Sequence, residues 1–184
     1  MAGVTDRGGL QAGLGIMMGA ESWQASHPPL LRILFVCTGN SCRSQMAEAW
    51  TRVLLGHVFE PHSAGIEAHG LDSDAVKVMA EAGVDISDHR SKTVHELLEL
   101  PFDCVVTLSE RARLRLPRAW LPVAAIHAGF DAPRKRLIAI PTGSGGLEEY
   151  RRVRDMIRAF VVQLPHCSRQ ESAICRRGSN CRSR

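Results

Sequence analysis

The sequence predicts an α/β fold: a four-stranded parallel sheet with helices on both faces. Three observations carry this reading. Apolar, strand-like runs alternate with amphipathic segments of helical period from Leu31 onward. The run Ile33, Leu34, Phe35 and Val36 is apolar without interruption, as a central parallel strand buried on both faces requires. Cys37 ends that run, and a short loop and a helix-forming segment follow at once.

The elements follow in order. After the first strand, Ser44, Gln45, Met46, Ala47, Glu48 and Ala49 favour a helix over residues 44–55. Residues 58–66 read as a second strand. Asp72 and Ser73 cap a helix that runs to residue 82, with Ala75, Val76, Val78, Met79 and Ala82 as its apolar face and Gly83 as its terminator. A polar stretch, residues 88–92, leads to a short helix over 94–99 that stops before Pro101. Residues 102–108 form the third strand, 110–114 a short helix and 122–127 the fourth strand. Residues 129–133 make a loop, and 134–146 are irregular. The last helix spans 147–164, with Tyr150, Val153, Ile157, Phe160 and Val161 facing inward. Right-handed crossovers then gather the carboxyl ends of the strands at one edge, where such sheets bind ligands. Cys37, Ser109 and Asp131 stand at those ends and are expected to converge.

The chain of 184 residues, 45% hydrophobic, suits a single domain at residues 29–166. Residues 1–28 read as a flexible extension, and 167–184 as a basic, cysteine-containing, disordered tail. No apolar run reaches the eighteen residues a membrane span needs. The N-terminal stretch is too glycine-rich for a secretory signal. The expected compartment is the cytoplasm, where a thiolate stays reduced. The net charge of +4 resides in the tail, whose five arginines face one glutamate. The remainder balances, so nucleic acid is not an expected partner.

The chemistry lies in the loop. Five residues separate Cys37 from Arg43, and Ser44 follows directly. A loop between strand and helix turns backbone N–H groups into one concavity, and the helix adds its positive end. Thr38, Gly39, Asn40, Ser41, Cys42, Arg43 and Ser44 are therefore the expected oxyanion-binding residues. Arg43 offers a planar fork of donors to a tetrahedral oxyanion. Cys37 sits beneath it as a nucleophile, where donors and positive charge favour the thiolate. The competing reading, a core cysteine beside a solvated arginine, explains either residue alone but not their spacing. No Gly-Lys-Ser/Thr closes the loop, so it is not a nucleotide loop.

Read this way, the chain resembles the low-molecular-weight protein tyrosine phosphatases and, more closely, arsenate reductases of the thioredoxin-coupled type. CTGNSCRSQMAEAW, SAGIEAHG, GVDISDHRSK, FDCVVTL, GFDAP and EYRRVRDMIRAF carry the likeness in order, over residues 32–165. The resemblance implies a three-layer sandwich in which Cys37 attacks arsenate and Arg43 holds its oxygens. Asn40 and Ser44 hold the loop and hydrogen-bond the thiolate. A second thiol then releases arsenite and leaves a disulfide. The implied electron source is thioredoxin, glutaredoxin or a small thiol, with no bound cofactor and no metal.

The chain departs from that pattern twice. The family's second thiol directly follows the third strand and another lies seven residues later; Ser109 and Leu116 stand there. The family's general acid precedes the proline of the loop after strand four; that place is Ala132, with Asp131 beside it as the candidate acid. Cys104 reads as a core residue. Cys42 is placed for a disulfide with Cys37. Cys167, Cys175 and Cys181 are either a tail-borne resolving set or part of an extension without function. Arg90 and Lys92 either balance charge near the loop or form a solvated turn. The histidines show no metal-ligand spacing. Three functions follow in order: an arsenate reductase; a phosphomonoesterase of the phosphotyrosine type, working through a phosphocysteine with Asp131 assisting; and an inactive oxyanion binder.

Overall fold

β1 (Leu31–Cys37) runs through the middle of a four-stranded sheet of order β2-β1-β3-β4, with β2 at Phe59–Gly65, β3 at Cys104–Thr107 and β4 at Ala124–His127. Every pair is parallel. The computed structural model describes residues 29–120, 123–133 and 146–175. The N-terminal extension (1–28), the segment 134–145, the start of the predicted fourth strand (121–122) and the tail beyond 175 lie outside the described residues.

The pleat of β1 sorts its side chains into two cores. Ile33, Phe35 and Cys37 pack with Met46 and Trp50 of α1 (Arg43–Leu55), Val78 and Met79 of α2 (Ser73–Glu81), and Val153, Ile157 and Val161 of α4 (Gly146–Cys175). Leu34 and Val36 face the other way, toward Val94 and Leu97 of the 3-10 turn Val94–Leu97, Phe102, Trp120, and Ala112 of α3 (Glu110–Leu114). Helical layers thus cover both faces, which is the predicted sandwich. Val36 is fully buried for this reason, as are its neighbours Leu34 and Phe35.

Most boundaries lie within two residues of the sequence reading, and two differences have a clear cause. β3 is shorter than 102–108, because Phe102 leaves the ladder to pack edge-on against Trp120, ring centroids 5.6 Å apart. α4 does not stop at Leu164; it continues through Pro165 to Cys175. A proline removes one hydrogen bond of the ladder and bends a helix without forbidding it. The backbone at Cys167 and Cys175 is therefore helical. Among the described residues no helix is long and apolar enough to cross a membrane.

The strand register sets the position of the site. Cys37 pairs with Gly65, Val36 with Thr107 and Thr107 with His127, so the carboxyl ends of all four strands meet at one edge. Gly65 is there because of close backbone approach. A Cβ at this position would lie 2.1 Å from the Glu67 carbonyl oxygen and 2.7 Å from the Asn40 nitrogen. Gly65→Ala is expected to cost about 1–3 kcal/mol through this overpacking, read from the urea midpoint, and to displace the loop at Asn40. An unchanged midpoint would show that the backbone yields without cost.

Candidate active site

The loop from Cys37 to Ser44 is held from outside by its own carbonyls. The segment after β2 lies along it as a strap. The N–H groups of Ile66, Glu67, His69 and Asp72 donate to the carbonyls of Cys37, Thr38, Gly39 and Ser41 at 2.9–3.1 Å. The Asn40 carbonyl accepts from Gln45 Nε2 at 3.0 Å. In a planar peptide the N–H points opposite to the carbonyl. Tying the carbonyls outward therefore turns the loop's N–H groups inward, which builds an anion-binding concavity. Asn40 makes this turn possible with φ of 46°, a left-handed conformation that asparagine tolerates better than most residues.

Beneath the concavity, Cys37 Sγ accepts the Asn40 backbone N–H at 3.2 Å and lies 3.0 Å from Ser44 Oγ. Asn40 Nδ2 donates to Ser44 Oγ and to Ser63 Oγ, both at 2.9 Å. Ser44 Oγ thus bridges the Asn40 side chain and the sulfur. Ser63 passes its hydrogen to Glu48 Oε2 at 2.6 Å. Glu48 is buried and is partnered by Arg52 at 2.7 Å and Lys92 Nζ at 3.8 Å. The Asn40 side-chain oxygen accepts from the Lys92 backbone N–H at 2.8 Å and from Gln45 Nε2 at 3.1 Å. Cys37 Sγ thus stands at the base of this network, between the Asn40 backbone N–H and Ser44 Oγ.

Of the residues nominated from the sequence, Cys37, Thr38, Gly39, Ser41, Cys42 and Arg43 line a cleft of about 260 Å³. Asn40 and Ser44 are completely buried behind it and shape the loop from the rear. Arg43 opens α1 and is anchored across the sheet edge. Its Nη1 donates to the Phe130 carbonyl at 2.7 Å and the Leu108 carbonyl at 3.4 Å. Its Nε and Nη2 have no other partner among the described residues.

Asp131 is brought near but not into the nucleophile's cleft. It lines an adjoining cleft of about 340 Å³ with Ser109, His127, Thr38 and Arg43, while Ala132 and Pro133 reach the first cleft. The reason is local. The Phe130 carbonyl accepts from Arg43 and its ring packs on Phe160, centroids 5.8 Å apart, which anchors the loop just before Asp131. Ser109 Oγ lies 3.2 Å from Thr38 Oγ1 and caps α3 by accepting from the Ala112 N–H. Ser109 thus joins the loop's edge, as expected from its place after β3, and it brings a hydroxyl there.

Four cleft residues went unnominated: His69, Asp72, Arg111 and Tyr150. Asp72 was legible only as a helix cap, and it does accept from the Asp74 N–H at 3.0 Å; its other oxygen accepts from Tyr150 OH at 2.8 Å. Arg111 is ion-paired with Glu67 at the cleft mouth, and Glu67 also binds His69. These partners hold the Glu67 carboxyl below its ordinary range, His69 first. Of the two basic residues left open by the sequence, Lys92 serves the loop. Arg90 pairs with Glu96 at the surface while its carbonyl accepts from Gln45.

His89 completes the rear wall, with Nδ1 2.9 Å from Gln45 Oε1. Burial pushes its titration below the ordinary histidine value, against the opposing pull of Glu48. The unfolded chain therefore binds a proton near pH 6.5 that the native state takes up only at lower pH. Stability is complete above that value and declines as pH falls from about 6.5 toward the native value. Urea midpoints at pH 7.5 and 5.5 are expected to differ less in His89→Gln than in the wild type; equal differences would remove His89 as a source.

Comparison with known proteins accords with this geometry. Residues 32–173 match the family model described as low molecular weight phosphotyrosine protein phosphatase. An arsenate reductase from Shouchella clausii is 46% identical over 136 residues, covering 72% of this chain and 93% of its own. One from Brevibacillus brevis is 44% identical over 134 residues, covering 72% and 92%. Among solved structures, an arsenate reductase in a phosphate-binding state superposes with a TM-score of 0.62 at 28% identity, over 73% of this chain and 96% of that one. A low-molecular-weight protein tyrosine phosphatase from T. tengcongensis gives 0.57 at 29% identity, over 74% and 98%. With its sheet order, its Cys37–Arg43 loop and these relatives, the chain belongs to the low molecular weight phosphotyrosine protein phosphatase family and is an enzyme of its arsenate reductase or phosphatase type.

Proposed function

We propose that the chain reduces arsenate to arsenite in the cytoplasm, using Cys37 as nucleophile. Arsenate enters the loop, its oxygens taken by the inward N–H groups and the free edge of the Arg43 guanidinium. Cys37 Sγ attacks arsenic and an arsenate oxygen leaves as water, carried off by the oxyanion's own protons. A second thiol then attacks Cys37 Sγ. A sulfur–sulfur bond forms and the sulfur–arsenic bond breaks with its electron pair going to arsenic, which departs as arsenite. A thiol reductant, such as thioredoxin, glutaredoxin or a small thiol, returns the disulfide to thiols by exchange.

The observation that carries the reading is the hydrogen-bonded setting of Cys37 Sγ, against the Asn40 N–H and Ser44 Oγ, in a chain 40–46% identical to relatives named arsenate reductase. The position of Asp131 also favours arsenate over an ester. An ester needs its leaving oxygen protonated, a contribution of about 10²–10⁴-fold, and among the described residues the only carboxylate lining the nucleophile's cleft is Asp72, which already accepts from Tyr150 OH and the Asp74 N–H.

Ser109 supports the second reading, hydrolysis of phosphomonoesters through a phosphocysteine, which needs no second sulfur. The two separate in one experiment. Reduced protein is given arsenate in a single turnover with arsenite measured, and a parallel sample receives p-nitrophenyl phosphate. Arsenite release with little ester hydrolysis is expected. Ester hydrolysis without arsenite, even with added thiol, would make the chain a phosphatase, and failure of both would leave an oxyanion binder.

A further inference from the structure

An arsenate oxygen departs as water only with two hydrogens on it. Dihydrogen arsenate carries both, but on separate oxygens, so one must be moved as the bond to Cys37 forms. The loop cannot move it, because its N–H groups and the Arg43 fork donate and do not accept. Asp72 already accepts from the Asp74 N–H and Tyr150 OH, Thr38 Oγ1 lies against Ser109 Oγ, and Asp131 lines the adjoining cleft. Among the described residues that line the nucleophile's cleft, the side chain able to take and return a proton near neutral pH is His69.

Resting on the arsenate reading above, we propose that His69 is the proton relay of the reaction, taking a hydrogen from one arsenate hydroxyl at Nδ1 and giving it to the oxygen that departs.

The ring is fixed from three sides. The His69 backbone N–H donates to the Gly39 carbonyl at 3.0 Å, so the strap binds the residue to the loop. Nε2 lies 2.9 Å from Glu67 Oε2, and Glu67 is paired in turn with Arg111 of α3. His69 first, then the charges of Arg111 and Arg115, hold the Glu67 carboxyl below its ordinary range. An ionised carboxylate only accepts, so in the neutral ring the hydrogen stays on Nε2 and Nδ1 carries the lone pair. Nδ1 has no hydrogen-bond partner among the described residues, and it is the ring atom nearest the side of Gly39. A Cβ on Gly39 would lie 2.4 Å from that nitrogen, so glycine gives the ring its place beside the concavity.

The step balances without a further reactant. Cys37 Sγ, as thiolate, gives its electron pair to arsenic, and an arsenic–oxygen bond breaks with its pair on oxygen. That oxygen keeps its own hydrogen and receives the second from Nδ1, which has drawn it from the neighbouring hydroxyl. Water leaves and the ring ends neutral, as it began. Arsenic stays at +5 in the adduct, and its reduction belongs to the later thiol step. A phosphomonoester dianion carries no hydroxyl, so the relay has nothing to move there and serves arsenate.

The test uses the full chain, reduced, in single turnover with arsenate. 2-Mercaptoethanol is raised until the rate no longer depends on it, so that the first step is read. Wild type is compared with His69→Gln, since glutamine keeps a hydrogen bond to Glu67 but relays no proton. His69→Gln is expected to release arsenite about 10²-fold more slowly. It is expected to bind inorganic phosphate nearly as tightly as the wild type by calorimetry, and to leave any p-nitrophenyl phosphate hydrolysis unchanged. Arsenite release by His69→Gln at the wild-type rate would overturn the proposal. A loss of phosphate affinity matching the loss of rate, or equal losses with arsenate and ester, would overturn it too, because the ring would then only shape the cleft. No arsenite from the wild type, with 2-mercaptoethanol or thioredoxin present, would instead remove the arsenate reading and this inference with it.

Discussion

Cys37→Ser is expected to abolish both arsenite release and p-nitrophenyl phosphate hydrolysis, a loss on the order of 10⁴–10⁶-fold. The Asn40 N–H donates to Cys37 Sγ, and Ser44 Oγ lies 3.0 Å from it. They do not ionise an alcohol, whose proton is held far more tightly than a thiol's. The variant separates binding from chemistry. The strap carbonyl bonds and the Asn40–Ser63–Glu48 network do not involve the sulfur, so the cradle survives. A neutral hydroxyl also removes the repulsion between a thiolate and an incoming anion. Phosphate is therefore expected to bind Cys37→Ser at least as tightly as the wild type, measured by calorimetry. Loss of phosphate binding together with activity would show that the sulfur holds the loop, and residual turnover above about a thousandth of wild type would displace Cys37 as nucleophile.

Arg43→Lys is expected to lower kcat/KM by about 10²–10³-fold, although the charge is kept. The guanidinium does two things at once that an ammonium does not. Its Nη1 is committed to the Phe130 and Leu108 carbonyls, which fixes the group at the sheet edge, and its remaining edge is left as a planar fork for the oxyanion of the proposed reaction. A lysine spans one of these demands and leaves the other unmet. Phosphate affinity should fall with the rate, since the lost donors serve ground state and transition state alike. A loss below tenfold would mean that the loop N–H groups carry the oxyanion without the arginine.

The loop and the fold were legible for a shared reason. The unbroken apolar run of β1 can satisfy only a strand covered on both faces, and the glycine-bearing loop and helix after it are local features. Cys37, Arg43 and their spacing lie within eight residues, so chemistry and order are visible together. Asn40 and Ser44 were assigned to the loop by the same proximity, and they stand behind it as buttresses. The end of α4 was misjudged because Pro165 is a strong local signal against helix, whereas the backbone carries the helix past it to Cys175.

The residues that complete the cleft were hidden because they come from distant elements with ordinary local explanations. Asp72 caps a helix, Tyr150 sits on an apolar face, and His69 and Arg111 are charged surface positions until the strap and α3 bring them to the loop. The Glu48 network likewise joins α1, β2 and the segment before the 3-10 turn, which no single stretch displays. The amino-acid sequence by itself determined the strand–loop–helix that holds an oxyanion and the thiol beneath it, since these depend on neighbours in the chain. Only the tertiary structure decided that Asp131 turns into an adjoining cleft and that Cys42 shares the cleft of Cys37. Those outcomes depend on how β4, α1 and α4 pack, and packing is settled by contacts far apart in sequence.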